Sequence, residues 1–163
     1  MPLDVKHTVL QNPVHILSFG FGAGFIPFAP GTMGTLIAIP IYLLLASFSS
    51  IIYLSFVVVS FVIGCWASGQ TANALGVHDH PGIVIDEIVG YLVTMLLVPV
   101  TWYWVLWGFL FFRIFDIWKP WPVSLVDKRV QGGLGIMLDD LFAGIYSLLS
   151  LHIVIWSAEF INS

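Results

Sequence analysis

Residues 36–68 read LIAIPIYLLLASFSSIIYLSFVVVSFVIGCWAS and contain no charged side chain. As one helix, these 33 residues would measure about 50 Å at about 1.5 Å per residue, whereas the hydrocarbon core of a bilayer is about 30 Å thick. The polar cluster at residues 47–50 divides the run. We therefore expect two apolar helices joined as a hairpin.

Residues 88–115 form a second apolar run, which at about 42 Å is again too long for one helix. The segment 99–101 interrupts it, and the aromatic side chains that follow are typical of a membrane interface. A last apolar run covers residues 141–156. The sequence thus predicts an all-α membrane bundle of about five apolar helices, arranged as two hairpins and a C-terminal helix.

The composition of the whole chain supports an integral membrane protein. Of its 163 residues, 59% are apolar and 9% are charged, and the mean hydropathy is +1.00, far above the averages of soluble domains. This length predicts a single membrane-embedded domain over residues 1–163. A net charge of −4 argues against a nucleic-acid partner, because phosphate backbones are bound by clustered Lys and Arg. The single cysteine, Cys65, excludes a Cys-rich metal site.

The hairpins would gather the polar segments on one face of the membrane. Each hairpin returns the chain to its starting side, so the segments 19–36, 69–87 and 116–140 should share a face. This face carries most of the basic residues, and the positive-inside rule assigns it to the cytoplasm. Helices of about 14 residues span only about 21 Å, so re-entrant hairpins are an alternative that leaves the same loops together. The basic residues concerned are Lys6, Lys119, Lys128 and Arg129.

Two acidic pairs occur in matching contexts. Asp86-Glu87 and Asp139-Asp140 are each followed by two apolar residues and then by a small one. Small residues let helices approach closely, so these could bring the two pairs together as halves of one site. The alternative is two unrelated pairs at the water boundary, where the helix dipole favours acids in a first turn. The small residues are Gly90, Ala143 and Gly144.

Carboxylates without Cys clusters or paired His ligands are typical of a hard-cation site. Asp86, Glu87, Asp139 and Asp140 offer only oxygen, which favours Mg²⁺ first, with Mn²⁺ or Ca²⁺ behind it. In proteins, Mg²⁺ typically binds one or two carboxylates together with waters and substrate phosphate. The sequence therefore predicts a Mg²⁺ site, with one ion or two, that serves a phosphorylated substrate.

Cationic side chains suited to a phosphate lie in FRIFDIWKPWP at residues 112–122. Arg113, Asp116 and Lys119 are spaced three apart and so share one face of a helix that Pro120 ends. Arg113 and Lys119 would bind the phosphate, while Asp116 would bind the metal or orient the two cations. The alternative is an interfacial ion-pair ladder that involves no substrate.

Glycine-rich segments supply candidates for headgroup binding. The segment 19–36 predicts a loop that presents backbone N–H groups and threonine hydroxyls to a phosphate or headgroup. The glycines at 132–135 predict a turn through which a lipid headgroup reaches Asp139 and Asp140. The substrate-binding candidates are Gly31, Thr32, Thr35 and Gly133.

The histidines point to one candidate for proton transfer. The triplet His78-Asp79-His80 could supply a general acid or base, with Asp79 among the catalytic candidates, while a solvated turn explains the triplet as well. The other histidines, His7, His15 and His152, are expected to be structural.

Four collinear motifs resemble those of the phosphatidylglycerophosphatase A family of the bacterial inner membrane. They are FGFGAGFIPFAPGTMGTL at 19–36, HDHPGIVIDEIVG at 78–90, FRIFDIWKPWP at 112–122 and GGLGIMLDDLFAG at 132–144. The resemblance implies a helical enzyme that uses Mg²⁺ to remove the terminal phosphate of phosphatidylglycerophosphate, giving phosphatidylglycerol. It also implies site roles for Asp86, Glu87, Asp116, Asp139 and Asp140 and for Arg113 and Lys119.

Three hypotheses of function follow. In a lipid phosphatase, carboxylates would hold Mg²⁺, and Arg113 and Lys119 would neutralise the phosphoryl oxygens. Water would attack the phosphorus opposite the leaving group, with Asp79 or Asp116 as the base. In a variant of this mechanism, Asp116 itself attacks the phosphorus. A lipid-headgroup phosphotransferase is the second, but the DGxxAR…GxxxDxxxD spacing of that class is absent from the sequence. A divalent-cation transporter is the third, and it would place carboxylates near the middle of the bilayer rather than at helix ends.

Overall fold

A computed structural model describes residues 5–121 and 130–162 of the chain. Every regular element in these residues is a helix, which confirms the predicted all-α class. A 3₁₀ helix, Gly20–Phe25, lies between the second and third α-helices. In chain order the α-helices are α1 Val5–Leu10, α2 Pro13–Ser18, α3 Pro30–Leu45, α4 Ser50–Leu75, α5 Ile85–Thr94, α6 Trp102–Trp118 and α7 Gly132–Asn162.

The short helix α5 is the centre of the bundle. Nine of its ten residues are buried, and Glu87 is the exception. Helices α3, α4, α6 and α7 all pack against it, and α7 also packs along α4 and α6. The acidic first turn of α5 is therefore surrounded by other helices.

Helices α5 and α7 approach each other closely where both carry glycine. A Cβ atom on Gly90 would lie 2.8 Å from the carbonyl oxygen of Asp140, and one on Gly144 would lie 2.5 Å from the carbonyl oxygen of Gly90. Neither distance leaves room for a side chain. The structure thus confirms that the small residues after the two acidic pairs bring their helices together.

The predicted breaks in the apolar runs agree with the helix ends. Helix α3 ends at Leu45 and α4 begins at Ser50, where the Ser49 hydroxyl accepts a hydrogen bond from the backbone N–H of Ile52. Helix α5 ends at Thr94 and α6 begins at Trp102, so residues 95–101 form the second break. The polar residues 69–75, however, continue α4, although a loop was predicted there.

Of two glycine-rich segments that were predicted as loop and turn, residues 19–36 are partly helical, with residues 26–29 outside any helix, and residues 132–135 are wholly helical. Helix α3 begins at Pro30, which suits a first turn because its missing N–H has no partner to lose there. Helix α7 begins at Gly132, well before the predicted start at residue 141. Its glycines fit against α4, since a Cβ on Gly133 would lie 1.8 Å from the carbonyl oxygen of Cys65. Close packing here outweighs the low helix propensity of glycine.

Two helices are long and apolar enough to cross a membrane, namely Ser50–Leu75 and Gly132–Ile161. In the most apolar 18-residue stretch of each helix, only 22% and 28%, respectively, is buried inside the protein. The core helix of a soluble protein would be mostly buried, so the two helices suggest a membrane association. Helix α5, at about 15 Å, is too short to span a bilayer.

Candidate active site

Three helices supply the charged side chains of the candidate site. Helix α5 contributes its first turn, α6 its last turns, and α7 a position two turns inside its N-terminus, about 10 Å from Gly132. The close approach of α5 and α7 sets their acidic pairs side by side. The residues concerned are Asp86 and Glu87 on α5, Arg113 and Asp116 on α6, Lys119 at the end of α6, and Asp139 and Asp140 on α7.

Asp86, Glu87 and Asp140 form the centre of this site. One carboxylate oxygen from each can be chosen so that all lie within 4.8 Å of one another. Asp86 and Asp140 are buried, and Glu87 is partly buried. The oxygens Asp86 Oδ1, Glu87 Oε2 and Asp140 Oδ2 are buried without a hydrogen-bond partner. Buried acceptors of this kind are costly unless a donor or a cation meets them.

Burial changes the pKa values of Asp86 and Glu87 on α5. Burial raises the pKa of Asp86 well above its usual range, and repulsion from Glu87 adds to the effect. Burial likewise raises the pKa of Glu87 to about 8, with further repulsion from Asp140 and Asp116. Glu87 therefore retains its proton at neutral pH unless a cation replaces it. An all-oxygen, acidic group of this size fits a hard divalent ion such as Mg²⁺.

The first turn of α3 closes one side of the site through Gly31. A Cβ atom on Gly31 would lie 2.2 Å from Glu87 Oε1 and 3.1 Å from Arg113 Nη1. Gly31 thus provides clearance for charged groups, a role that its place in a glycine-rich motif did not reveal. Thr32 is partly exposed nearby, whereas Thr35 is buried and its hydroxyl donates to the Gly31 carbonyl oxygen at 2.9 Å.

Gly133 lies apart from this arrangement. It is buried in the contact between α7 and α4, two turns before Asp140. The predicted turn that would admit a headgroup at residues 132–135 is wrong, because these residues are helical.

Both cations of the site are paired with carboxylates. Arg113 Nη1 lies 2.5 Å from Asp116 Oδ2 one turn along α6, and Lys119 Nζ lies 2.6 Å from Asp139 Oδ2 on α7. Lys119 is the C-cap of α6 in a left-handed conformation (φ 45°), and Pro120 follows it. Asp139 therefore faces Lys119, while its neighbour Asp140 joins the carboxylates of α5.

Two further acids border the central group. Asp116 lies close enough to Glu87 to raise its pKa by repulsion, and Asp79 acts on Asp86 in the same way. The flanking histidines bind backbone: His78 Nε2 accepts from the N–H of Gly132 at 3.3 Å, and His80 Nδ1 accepts from the N–H of Gly82 at 3.0 Å. The hydrogen bond between Gly132 and His78 joins residues far apart in sequence, so no local pattern could predict it.

One argument made from the sequence against a transporter does not hold. It assumed that every carboxylate lies at a helix end, but Asp139 and Asp140 lie two turns inside α7. Asp86 and Glu87 do lie in the first turn of α5. The position of the acids alone therefore does not separate a transporter from an enzyme.

Comparison with known proteins distinguishes an enzyme from a transporter. Residues 16–155 match the family model described as phosphatidylglycerophosphatase A. The chain is 44% identical over 146 residues to the phosphatidylglycerophosphatase A of Escherichia coli (strain K12), which covers 89% of this chain and 85% of the relative. The protein of the same name from Haemophilus influenzae is 41% identical over 147 residues, covering 89% and 90%.

A third relative has a different name. A protein of Bacteroides thetaiotaomicron, 39% identical over 150 residues that cover 86% of this chain and 92% of the relative, is named as a phosphatidylinositol-3-phosphatase, and its name marks the activity as provisional. No solved structure matches the chain. All these names describe phosphatases that act on lipids.

Proposed function

Because this chain belongs to the phosphatidylglycerophosphatase A family, we propose that it hydrolyses phosphatidylglycerophosphate to phosphatidylglycerol and phosphate in a Mg²⁺-dependent step of phospholipid biosynthesis. The relatives' names identify a phosphatase that acts on a phosphate monoester, and the chain is an enzyme of that class. The observation that carries the metal-dependent reaction is the set of buried, unpartnered carboxylate oxygens on Asp86, Glu87 and Asp140.

These three carboxylates would hold the cation. Their donor atoms are all oxygen, lie within 4.8 Å of one another and together offer the negative charge that a hard divalent ion requires. When bound, the ion would polarise the phosphoryl oxygens of the substrate and offset the charge that develops on them. Burial of the ligand oxygens limits the screening of this interaction by water.

Arg113 and Lys119 would bind the phosphate group of the substrate. Each already faces a carboxylate, Asp116 and Asp139 respectively, at ion-pair distance. A phosphate that takes over Arg113 would release Asp116, which lies near Glu87 and could then accept a proton from the attacking water. Asp79, near Asp86, is the second candidate for this proton transfer.

We further propose a multi-pass protein of the bacterial inner membrane with its active site facing the cytoplasm. Support comes from α4 and α7, which are long and apolar enough to span, and from Lys119 at the active-site end, in line with the positive-inside rule. Helices α3 and α4 would form the first hairpin, and α5 and α6 a second one whose first helix does not cross. Lys128 and Arg129, which entered the sequence argument, lie outside the described residues.

The direct test is phosphate release from phosphatidylglycerophosphate in detergent, with and without Mg²⁺. We expect Asp140→Asn and Glu87→Gln each to lose at least about a hundredfold in rate, because each removes charge that would stabilise the transition state. Glu159→Gln is the matched control: it makes the same chemical change at an exposed position near the far end of α7. It should leave the rate unchanged.

Two outcomes would contradict the proposal. Full Mg²⁺-dependent activity in both Asp140→Asn and Glu87→Gln would show that the carboxylate group is not the metal site. Mg²⁺ uptake into vesicles by a wild-type protein that releases no phosphate would favour the transporter hypothesis instead.

A further inference from the structure

An apolar groove of about 320 Å³ runs between α4 and α7, with α5 beneath it. Helix α4 contributes Val58 and Phe61, α5 contributes Val93, and α7 contributes Leu141 and Leu148. Every residue that lines the groove is apolar. A polar ligand would find no hydrogen-bond partner among these side chains, so the groove suits a hydrocarbon.

The groove starts at the level of the candidate metal site. Leu141 directly follows Asp140 on α7. Gly90 of α5 lies against the backbone of Asp140, and further along a Cβ on Gly144 would come within 3.2 Å of Val93. From Leu141 the groove follows α7 for about 10 Å to Leu148, in the direction away from the carboxylates.

The walls of the groove are the two helices that are long and apolar enough to span a membrane. The groove would therefore open towards the hydrocarbon of the bilayer. Two other hollows, whose linings also include polar side chains, lie around Trp156, about 24 Å along α7 from Asp140. Of these three hollows along α7, the groove beside Leu141 lies nearest to Asp140.

We propose that this groove holds one acyl chain of the lipid phosphomonoester while its phosphate lies at Asp86, Glu87 and Asp140. This inference rests on the proposed function and adds where the lipid portion of the substrate binds. Lipid tails are as apolar as the groove, so the gain lies in orientation and packing rather than in removal of apolar surface from water. A fixed chain would align the phosphate with the carboxylates, and small misalignments of a reacting group lower rates strongly.

Two adjacent valines of α4 provide a matched test. Val58 lines the groove and Val59 does not, although their exposed fractions are nearly equal at 54% and 55%. We expect Val58→Trp, which fills the groove, to lower kcat/KM about tenfold or more for dipalmitoyl phosphatidylglycerophosphate. The same variant should lower the rate on the dihexanoyl lipid much less, because its short chains fill less of the groove, and Val59→Trp should affect neither substrate.

The outcomes separate the groove from the proposed function. Equal losses of kcat/KM in Val58→Trp and Val59→Trp, or equal losses on both lipids in Val58→Trp, would overturn the groove proposal and leave the proposed function standing. Absence of phosphate release from either lipid by the wild-type protein would overturn both proposals.

Labelling of the wild-type protein tests the groove without a substitution. A phosphatidylglycerophosphate that carries a diazirine in one acyl chain should, on illumination, modify residues 54–61 and 141–148. Label confined to α6 or to residues 149–161 would overturn the proposal. The proposal would also be overturned if a second copy of the chain covers the groove and excludes the lipid.

Discussion

Among the individual residues, Glu87 is an acid whose protonation depends on its surroundings. Its Oε2 is buried without a hydrogen-bond partner, and burial together with repulsion from Asp140 and Asp116 raises its pKa to about 8. An ordinary glutamate has a pKa of about 4.3. Between these two values the folded chain holds a proton on Glu87 that the unfolded chain has lost.

We predict that the metal-free protein becomes less stable as the pH rises from about 5 to about 8. The folded chain binds more protons than the unfolded chain over this range, so the free energy of unfolding falls with increasing pH. Mg²⁺ would replace these protons and should raise the melting temperature more at the upper end of the range. Thermal unfolding in detergent, with a chelator or with excess Mg²⁺, measures both effects.

The control for this prediction is Glu87→Gln, which has no carboxyl proton to lose. Its stability should depend less on pH than that of the wild type, and Mg²⁺ should stabilise it less. A melting temperature of the metal-free wild type that rises across the same pH range would contradict the prediction.

Among the elements, α5 is the helix that most needs support from its neighbours. It ends at Thr94 inside the bundle, where the Met95 N–H donates to the Tyr91 and Val93 carbonyl oxygens and the Leu92 carbonyl oxygen accepts from another helix. The buried hydroxyl of Tyr53 on α4 donates to the Leu92 carbonyl oxygen at 2.7 Å, and that of Tyr42 on α3 donates to the Val98 carbonyl oxygen at 3.2 Å. These tyrosines satisfy backbone groups that would otherwise be buried without donors.

We predict that Tyr53→Phe destabilises the protein by about 1 to 2 kcal/mol, because it leaves the Leu92 carbonyl oxygen unpaired in an apolar interior. Chemical or thermal unfolding in detergent would measure the loss. Tyr103→Phe is the control, since Tyr103 is 42% exposed on α6. Equal stability of the two variants would show that the Tyr53 hydrogen bond contributes little.

At the scale of the whole molecule, the charged site and the break after α5 lie at opposite ends of the bundle. Helix α4 runs from Ser50, beside that break, towards Leu75, and Gly133 on α7 packs against α4 at the charged end. If α4 and α7 cross a membrane, the two ends of the bundle therefore face opposite compartments.

We predict that single cysteines at the two ends react from opposite sides of the membrane. In a Cys65→Ala background, Leu97→Cys, 69% exposed in the wild type, should react with an impermeant maleimide from the periplasmic side. Val77→Cys, 44% exposed at the charged end, should react only once the cytoplasmic side is accessible. Labelling of both from the same side would contradict the proposed topology.

Some features of the fold and the site could be predicted from the sequence. The breaks after α3 and after α5 were predicted because polar residues and Pro99 interrupt apolar runs whose lengths can be counted. The meeting of Asp86 and Glu87 with Asp140 was predicted because small residues follow both acidic pairs. Each of these predictions rests on local composition, which determines where a helix breaks and which faces can approach.

The tertiary structure alone decided where glycine-rich segments are helical and which partner each charge has. Pro30 and Gly132 begin helices because the glycines beside them fit against Glu87 and against the backbone of α4. Asp139 faces Lys119 while Asp140 joins the carboxylates of α5, although the two aspartates are neighbours in sequence. The physical reason is that helix propensity and charge are local properties, whereas close packing and burial depend on groups that only the fold brings together.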